Sequence, residues 1–385
     1  MQTKLTLTVL ALLIGLSVPI GALAQARGQS QGQAAAAARP APPNMPGSFT
    51  HIPKADFEAL MGPTRGDRPA RVVNIGGGAN LGAYILHYPP MKNTMPNSFY
   101  HSEINEIYYV IRGEGTALLG GELENARMGD PSSTTAKMVT GPTVNGTMKN
   151  YKTQKWSAGD LIIIPAGVPH MIGWEVTVTN DILRVVVDPK RAINLVRDQN
   201  EALAADRARA EEQARAQGQT AAAAPVKPAP PNMPGTFTFI PKADLEALMK
   251  GNIADTPARV VPAGNSNIGA FVLHMEPRKA GTGPVNSFYH SEITELYYVV
   301  RGGGTAMVGG ELENATWDDS NSASIRTVRG PSVNGAMKNA RTQKFTAGDA
   351  FIVTPGVPHS VTYDVTERTD IIRIVVDPKR SLELK

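Results

Sequence analysis

Asn97-Ser98-Phe99-Tyr100-His101-Ser102-Glu103-Ile104-Asn105-Glu106 recurs as Asn286-Ser287-Phe288-Tyr289-His290-Ser291-Glu292-Ile293-Thr294-Glu295. A second segment recurs downstream of each copy. Gly159 to His170, ending Gly167-Val168-Pro169-His170, returns as Gly348 to His359, ending Gly356-Val357-Pro358-His359. Packing alone asks only for apolar residues at a regular period. Histidines and carboxylates at the same spacing in both copies therefore predict a metal site that is built twice.

The duplication extends outward from these segments. The first repeat opens at Pro42-Pro43-Asn44-Met45-Pro46-Gly47 and closes at Val187-Asp188-Pro189-Lys190-Arg191. The second opens at Pro230-Pro231-Asn232-Met233-Pro234-Gly235 and closes at Val376-Asp377-Pro378-Lys379-Arg380. Each begins with a short predicted helix, over 53–61 and 241–249, with proline at its start. Runs rich in Ile, Val, Leu and Tyr at 81–88, 106–111, 161–164 and 182–187 follow, bounded by Gly, Pro and Asn clusters. That is the pattern of a β-sandwich or barrel, so 44–191 and 230–385 are expected to be two all-β domains. The linker, 192–229, is rich in Ala, Glu, Arg and Gln up to Gln217. It is expected to be a solvent-facing helix followed by a flexible joint at 224–228.

At the start of the chain, Lys4, an apolar run over 5–16 and Ala22-Leu23-Ala24 form the charged start, apolar core and cleavage site of an export signal, 1–24. The run is short and broken by Gly15, Ser17 and Pro19, so no stable membrane span is expected after cleavage. A periplasmic or secreted location follows. Residues 25–43 lack periodicity and are expected to be disordered. The chain has no cysteine, which excludes disulfides, thiolate ligands and a cysteine nucleophile. Its formal charge of +4 is spread without a basic, aromatic-interleaved stripe, so nucleic acid is not an expected partner.

Only a closed or rolled sheet brings Glu106 and His170 together across such a separation. Two imidazoles and a carboxylate with open positions suit one divalent transition metal per barrel: Fe, Mn, Ni, Cu or Zn. His101, Glu106 and His170 are the candidate ligands of the first site, and His290, Glu295 and His359 those of the second. At this point the chain resembles the cupin superfamily, and in particular its two-domain members, the bicupins. The family's first motif ends Glu-x6-Gly, matched by Glu106 with Gly113 and by Glu295 with Gly302. His101 and His290 match that motif's second histidine. The second motif is matched by Gly159, Pro165, Gly167 and His170, and again by Gly348, Gly356 and His359 with Thr354 in the proline position. The resemblance implies two tandem double-stranded β-helix (jelly-roll) barrels, paired within one chain, and a small-molecule substrate or ligand.

Phe99 and Phe288 stand where the family's leading histidine belongs, and Trp174 and Tyr363 replace the second motif's final Asn. Candidate replacement ligands are Glu103 and Glu292, or His87 and His274 on the preceding strand. Tyr108 and Tyr297 lie two residues past each glutamate, on the same strand face, and are candidate general acids or bases. Some cupin lyases resemble this Glu-x-Tyr arrangement. Tyr100 and Tyr289 alternate to the opposite face. Lys149 and Lys338, in repeated Asn- and Gly-containing segments, and Arg184 and Arg373, on the closing strands, are candidate substrate contacts. Asn145-Gly146 reads as a hairpin turn, and the two arginines read equally as members of structural ion pairs. The leading expectation is an exported, metal-dependent lyase, isomerase or dioxygenase acting on a small organic acid, phenolic or sugar derivative. The alternative is a non-catalytic periplasmic binding protein.

Overall fold

The computed structural model describes residues 47–217, 236–250, 254–281, 283 and 285–385. The expected export signal, the segment expected to be disordered and the expected joint at 224–228 lie outside them. Among the described residues, four antiparallel sheets make two barrels of one inner and one outer sheet each. The inner sheet of the first barrel runs Leu161–Ile164, Asn105–Arg112, Asn180–Asp188, Ala79–Tyr88 and Gly66–Gly76 in spatial order. Its outer sheet contains Glu114–Leu119, His170–Val176, Asn97–His101 and Thr143–Lys149 as successive neighbours. The second barrel repeats this order.

Strand alternation sorts the side chains. On Asn105–Arg112, Glu106, Tyr108 and Val110 face the barrel interior, whereas Ile107 and Tyr109 join a core shared by both barrels. That shared core also holds Leu161, Leu183, Leu296 and Ile372, and Tyr109 meets Tyr298 with ring centroids 5.6 Å apart.

The opening strand of each repeat belongs to the other repeat's barrel. Phe49–Ile52 pairs with Ala350–Val353 as the edge of the second inner sheet, and Thr238–Ile240 pairs with Leu161–Ile164 as the edge of the first. The domain limits read along the chain are therefore crossed twice in space. Thr354 explains its place in the proline position: its Oγ1 accepts from the Ser48 amide at 2.7 Å and anchors the incoming strand. The short helices follow, Lys54–Leu60 and Lys242–Leu248, each with proline at the N-cap.

Two sequence expectations are corrected. The linker helix, Gln199–Gln217, is not simply solvated. Ala202 and Ala205 are buried, Arg68 pairs with Asp206 at 2.9 Å, and Arg209 donates to the Asp67 carbonyl. Alanines one turn apart let the helix approach the Gly66–Gly76 strand closely. Asn145-Gly146 is not a hairpin turn but lies within the Thr143–Lys149 strand, with Gly146 opposite Ser98. A Cβ at Gly146 would come within 2.6 Å of the Glu124 carbonyl, so close strand approach accounts for the glycine.

Candidate metal centre

In each barrel the site forms where the two sheets face one another. His101 ends one outer strand and His170 begins its neighbour, while Glu106 projects inward from the inner sheet. Between His101 and Glu106 the chain turns from outer to inner sheet through Ser102–Ile104, held by a Gly167 amide that donates to the His101 carbonyl at 2.7 Å. Glu106 Oε1 lies 3.0 Å from His101 Nε2, and Glu106 Oε2 lies 2.9 Å from His170 Nε2. In the second barrel Glu295 is 3.1 Å from each of His290 Nε2 and His359 Nε2. All six side chains are buried.

The other ring nitrogens decide what these contacts are. His101 Nδ1 is 2.6 Å from the Thr140 carbonyl and His170 Nδ1 is 2.9 Å from the Val168 carbonyl. A carbonyl only accepts, so both Nδ1 atoms carry the proton. His359 Nδ1 meets the Val357 carbonyl at 2.9 Å. His290 Nδ1 meets Ser332 Oγ at 3.0 Å, and that hydroxyl spends its own hydrogen on the Gly330 carbonyl at 2.9 Å. Burial pushes His101 and His290 toward the neutral form, against the pull of the adjacent glutamate. A neutral imidazole protonated at Nδ1 presents a lone pair at Nε2. Wherever these rings are neutral, the carboxylate faces Nε2 lone pairs at about hydrogen-bond distance with no proton between them. Glu106 Oε2 and Glu295 Oε2 receive no hydrogen bond. A cation resolves this confrontation of acceptors, and the donor set fits a divalent transition metal.

Arg184 and Arg373 back the carboxylates. Arg184 donates to Glu106 at 2.5 Å, to Asp67 at 2.8 Å and to the Val139 carbonyl at 3.1 Å. Arg373 contacts Glu295 at 2.5 Å, Asp255 at 2.9 Å and the Val328 carbonyl at 3.1 Å. Burial would raise the Glu106 and Glu295 carboxyls, but the adjacent histidines together with the Arg184 and Arg373 guanidiniums outweigh it and hold both well below the usual carboxylate range. Both arginines are thus members of buried ion networks built on the candidate-ligand glutamates, and Arg184 also lines the first cavity.

Tyr108 and Tyr297 do reach the site, with hydroxyls 3.5 and 3.4 Å from His170 and His359 Nε2. Burial first, then the adjacent glutamate, pushes both phenols well above their ordinary range, so they stand as protonated hydroxyls. Phe99 and Phe288 each pack against both histidines in T-shaped pairs, with centroids 5.0 and 5.4 Å away in the first barrel and 5.1 Å from each in the second.

The structure does not bring the other candidates to the site. Glu103 pairs with Lys190 at 2.9 Å, and Glu292 occupies the matching bend. The turn between the sheets breaks the strand alternation that would have carried them inward. His87 and His274 bind Asp181 and Asp370 at 2.7 and 2.5 Å on the outward face of their strands, and join neither histidine–glutamate group. Lys149 and Lys338 pair with Glu124 and Glu313 across exposed strands. Asp67 and Asp255 escaped the sequence reading, although Asp67-Arg68-Pro69-Ala70-Arg71-Val72-Val73 recurs as Asp255-Thr256-Pro257-Ala258-Arg259-Val260-Val261 and carried the signal. Arg65 and Arg329, at the two cavities, were also missed.

The two barrels, each of two facing antiparallel sheets, are the architecture that the resemblance to bicupins implied. No family model and no curated protein matches the chain. Solved structures similar to it include an oxalate decarboxylase of Lactobacillus farciminis in a formate complex, at 18% identity and TM-score 0.42, with 85% of each chain covered. Another is a salicylate 1,2-dioxygenase of Pseudaminobacter salicylatoxidans, at 13% and 0.44, covering 86% of this chain and 85% of that one. An 11S globulin of Wrightia tinctoria is similar at 12% and 0.41, with 85% of each chain covered.

Proposed function

We propose that this chain is an exported, metal-dependent enzyme of lyase, isomerase or dioxygenase type, acting on a small organic acid, phenolic or sugar derivative. One observation carries the reading: in both barrels a buried glutamate confronts two histidine lone pairs beside a protonated tyrosine. His101, Glu106 and His170 would hold one ion, and His290, Glu295 and His359 a second. A bound divalent metal supplies Lewis-acid polarisation of substrate oxygens, or electron transfer if it is redox-active.

The chain's own residues do the rest. The Thr140 and Val168 carbonyls keep Nε2 of both histidines unprotonated and aimed inward. Arg184 and Arg373 hold the glutamates ionised and oriented. Tyr108 and Tyr297 keep a proton at the hydroxyl oxygen, at the cavity wall, as general acids. Phe99 and Phe288, which pack against both histidines and offer no donor atom where the family's leading histidine belongs, favour the second reading, a binding protein without turnover.

Metal content of mature protein, measured by inductively coupled plasma mass spectrometry, tests the reading first. One equivalent per barrel, lost in His101→Ala with His290→Ala, is expected. Protein that stays metal-free after supplementation with Fe, Mn, Ni, Cu and Zn rules out the metal-centred reading. For the enzyme, Tyr108→Phe with Tyr297→Phe lowers turnover far more than affinity, whereas a binding protein shows no turnover to lose.

A further inference from the structure

We infer that Arg65 is the residue by which the first barrel selects a small carboxylate ligand, and that the second barrel does not share this selection. The inference rests on the metal-centred reading and names the ligand class of its first site.

Arg65 lies between helix Lys54–Leu60 and strand Gly66–Gly76, its guanidinium 5.0 Å above the Tyr88 ring. It lines the same cavity, about 170 Å³, as His101, His170 and Tyr108. The carboxylates of that cavity are already matched, because Arg184 holds Asp67 at 2.8 Å and Glu106 at 2.5 Å. Arg65 is left exposed, without an acidic partner among the described residues. The cation–π contact and a side-chain hydrogen bond to Tyr88 restrain the guanidinium, and its remaining N–H groups, which meet no acidic side chain among the described residues, can receive a carboxylate through two parallel hydrogen bonds. The small cavity limits the ligand to a short-chain acid whose far end reaches the histidine–glutamate group.

The second barrel differs where it matters. Arg329 stands over Phe288 at 4.8 Å, at the position Thr140 holds in the first repeat. Its Nη1 lies 3.5 Å from Asp318 Oδ2, so its charge is compensated within the protein. The cavity beside it is larger, about 370 Å³, and is walled by Leu273, Val328 and Val361. An added carboxylate there would have to compete with Asp318 and be placed against apolar side chains.

The test is calorimetric titration of succinate, and of neutral succinamide, into zinc-loaded full-length protein freed of excess metal. Succinate is expected to bind Arg65→Gln about tenfold more weakly or worse than native, with Arg65→Lys between. Succinamide binding stays level across these variants, and Arg329→Gln keeps the native succinate affinity. Equal succinate affinity in native protein and Arg65→Gln, a matching loss in Arg329→Gln, or no succinate binding to native protein overturns the inference. Zinc content of the same samples separates it from its premise. Metal-free protein that still binds succinate through Arg65 sinks the metal reading and keeps this one, while zinc-loaded protein indifferent to Arg65 does the reverse.

Discussion

Arg184 shows how much one side chain organises. Its guanidinium bonds the ligand-set carboxylate, Asp67 and the Val139 carbonyl at once, 1% exposed, while its flat face lies 4.8 Å over the Tyr84 ring. Removing it leaves Glu106 buried and ionised without its cation, and breaking a buried pair in this way costs about 3–5 kcal/mol. Arg184→Ala is therefore expected to lower the urea midpoint by that equivalent. Arg184→Lys should recover little, because a point charge cannot make three divergent contacts. A lysine variant as stable as native would mean that charge, not the fork, matters. The same geometry recurs at Arg373, where Phe271 replaces Tyr84 beneath the guanidinium at 4.2 Å. Arginine as such was legible in the repeats as an ion-pair candidate. Its partner Asp67 was not singled out, because a strand register joins residues far apart in the chain.

Among the elements, the exchanged strand depends on a polar clasp. Asp349 Oδ1 accepts from the Lys54 amide at 2.8 Å, starting the helix, and Oδ2 lies 3.2 Å from His51 Nε2 within the strand. Asp160 does the same for the Lys242 amide at 2.7 Å. Burial works to raise the Asp349 carboxyl, but the hydrogen bonds from His51, Lys54 and Thr346 prevail and hold it below its ordinary range. A depressed carboxyl stabilises the fold above its unfolded value and loses that contribution as pH falls through its folded value. Hydrogen exchange of the amides in Phe49–Leu60 should therefore quicken as pH drops below about 4, beyond the intrinsic rate change. In Asp349→Asn exchange should be faster at neutral pH and lack that acid step. An acid step retained in the variant would assign it to another group.

For the whole molecule, reciprocal strand exchange and a shared apolar core make the barrels one cooperative body. A single repeat cannot complete its own inner sheet and leaves Leu161, Ile163 and Tyr109 uncovered. Residues 47–217 expressed alone are expected to form a homodimer, the Phe49–Ile52 strand of each copy taking the edge that Thr238–Ile240 takes here. Light scattering after gel filtration reads this directly. A monomer with the thermal stability of the full chain would show that the exchange is dispensable. The full chain should unfold in one calorimetric transition, since neither barrel keeps its core without the other.

The duplication, the all-β barrels, the short proline-capped helices and the six inward histidines and glutamates are legible along the chain. These follow from local patterning: residue type, period-2 alternation and spacing are written along the chain, and Glu106 and Tyr108 share a face wherever the strand goes. Sheet closure decided that Glu103 turns outward while His101 turns inward, that Asn145-Gly146 runs through a strand, and that His87 spends its ring on Asp181. It also decided that each repeat lends its first strand to the other. These outcomes depend on register and on contacts between residues tens to hundreds of positions apart, whose energy is realised only when the sheets close, and no local pattern encodes it.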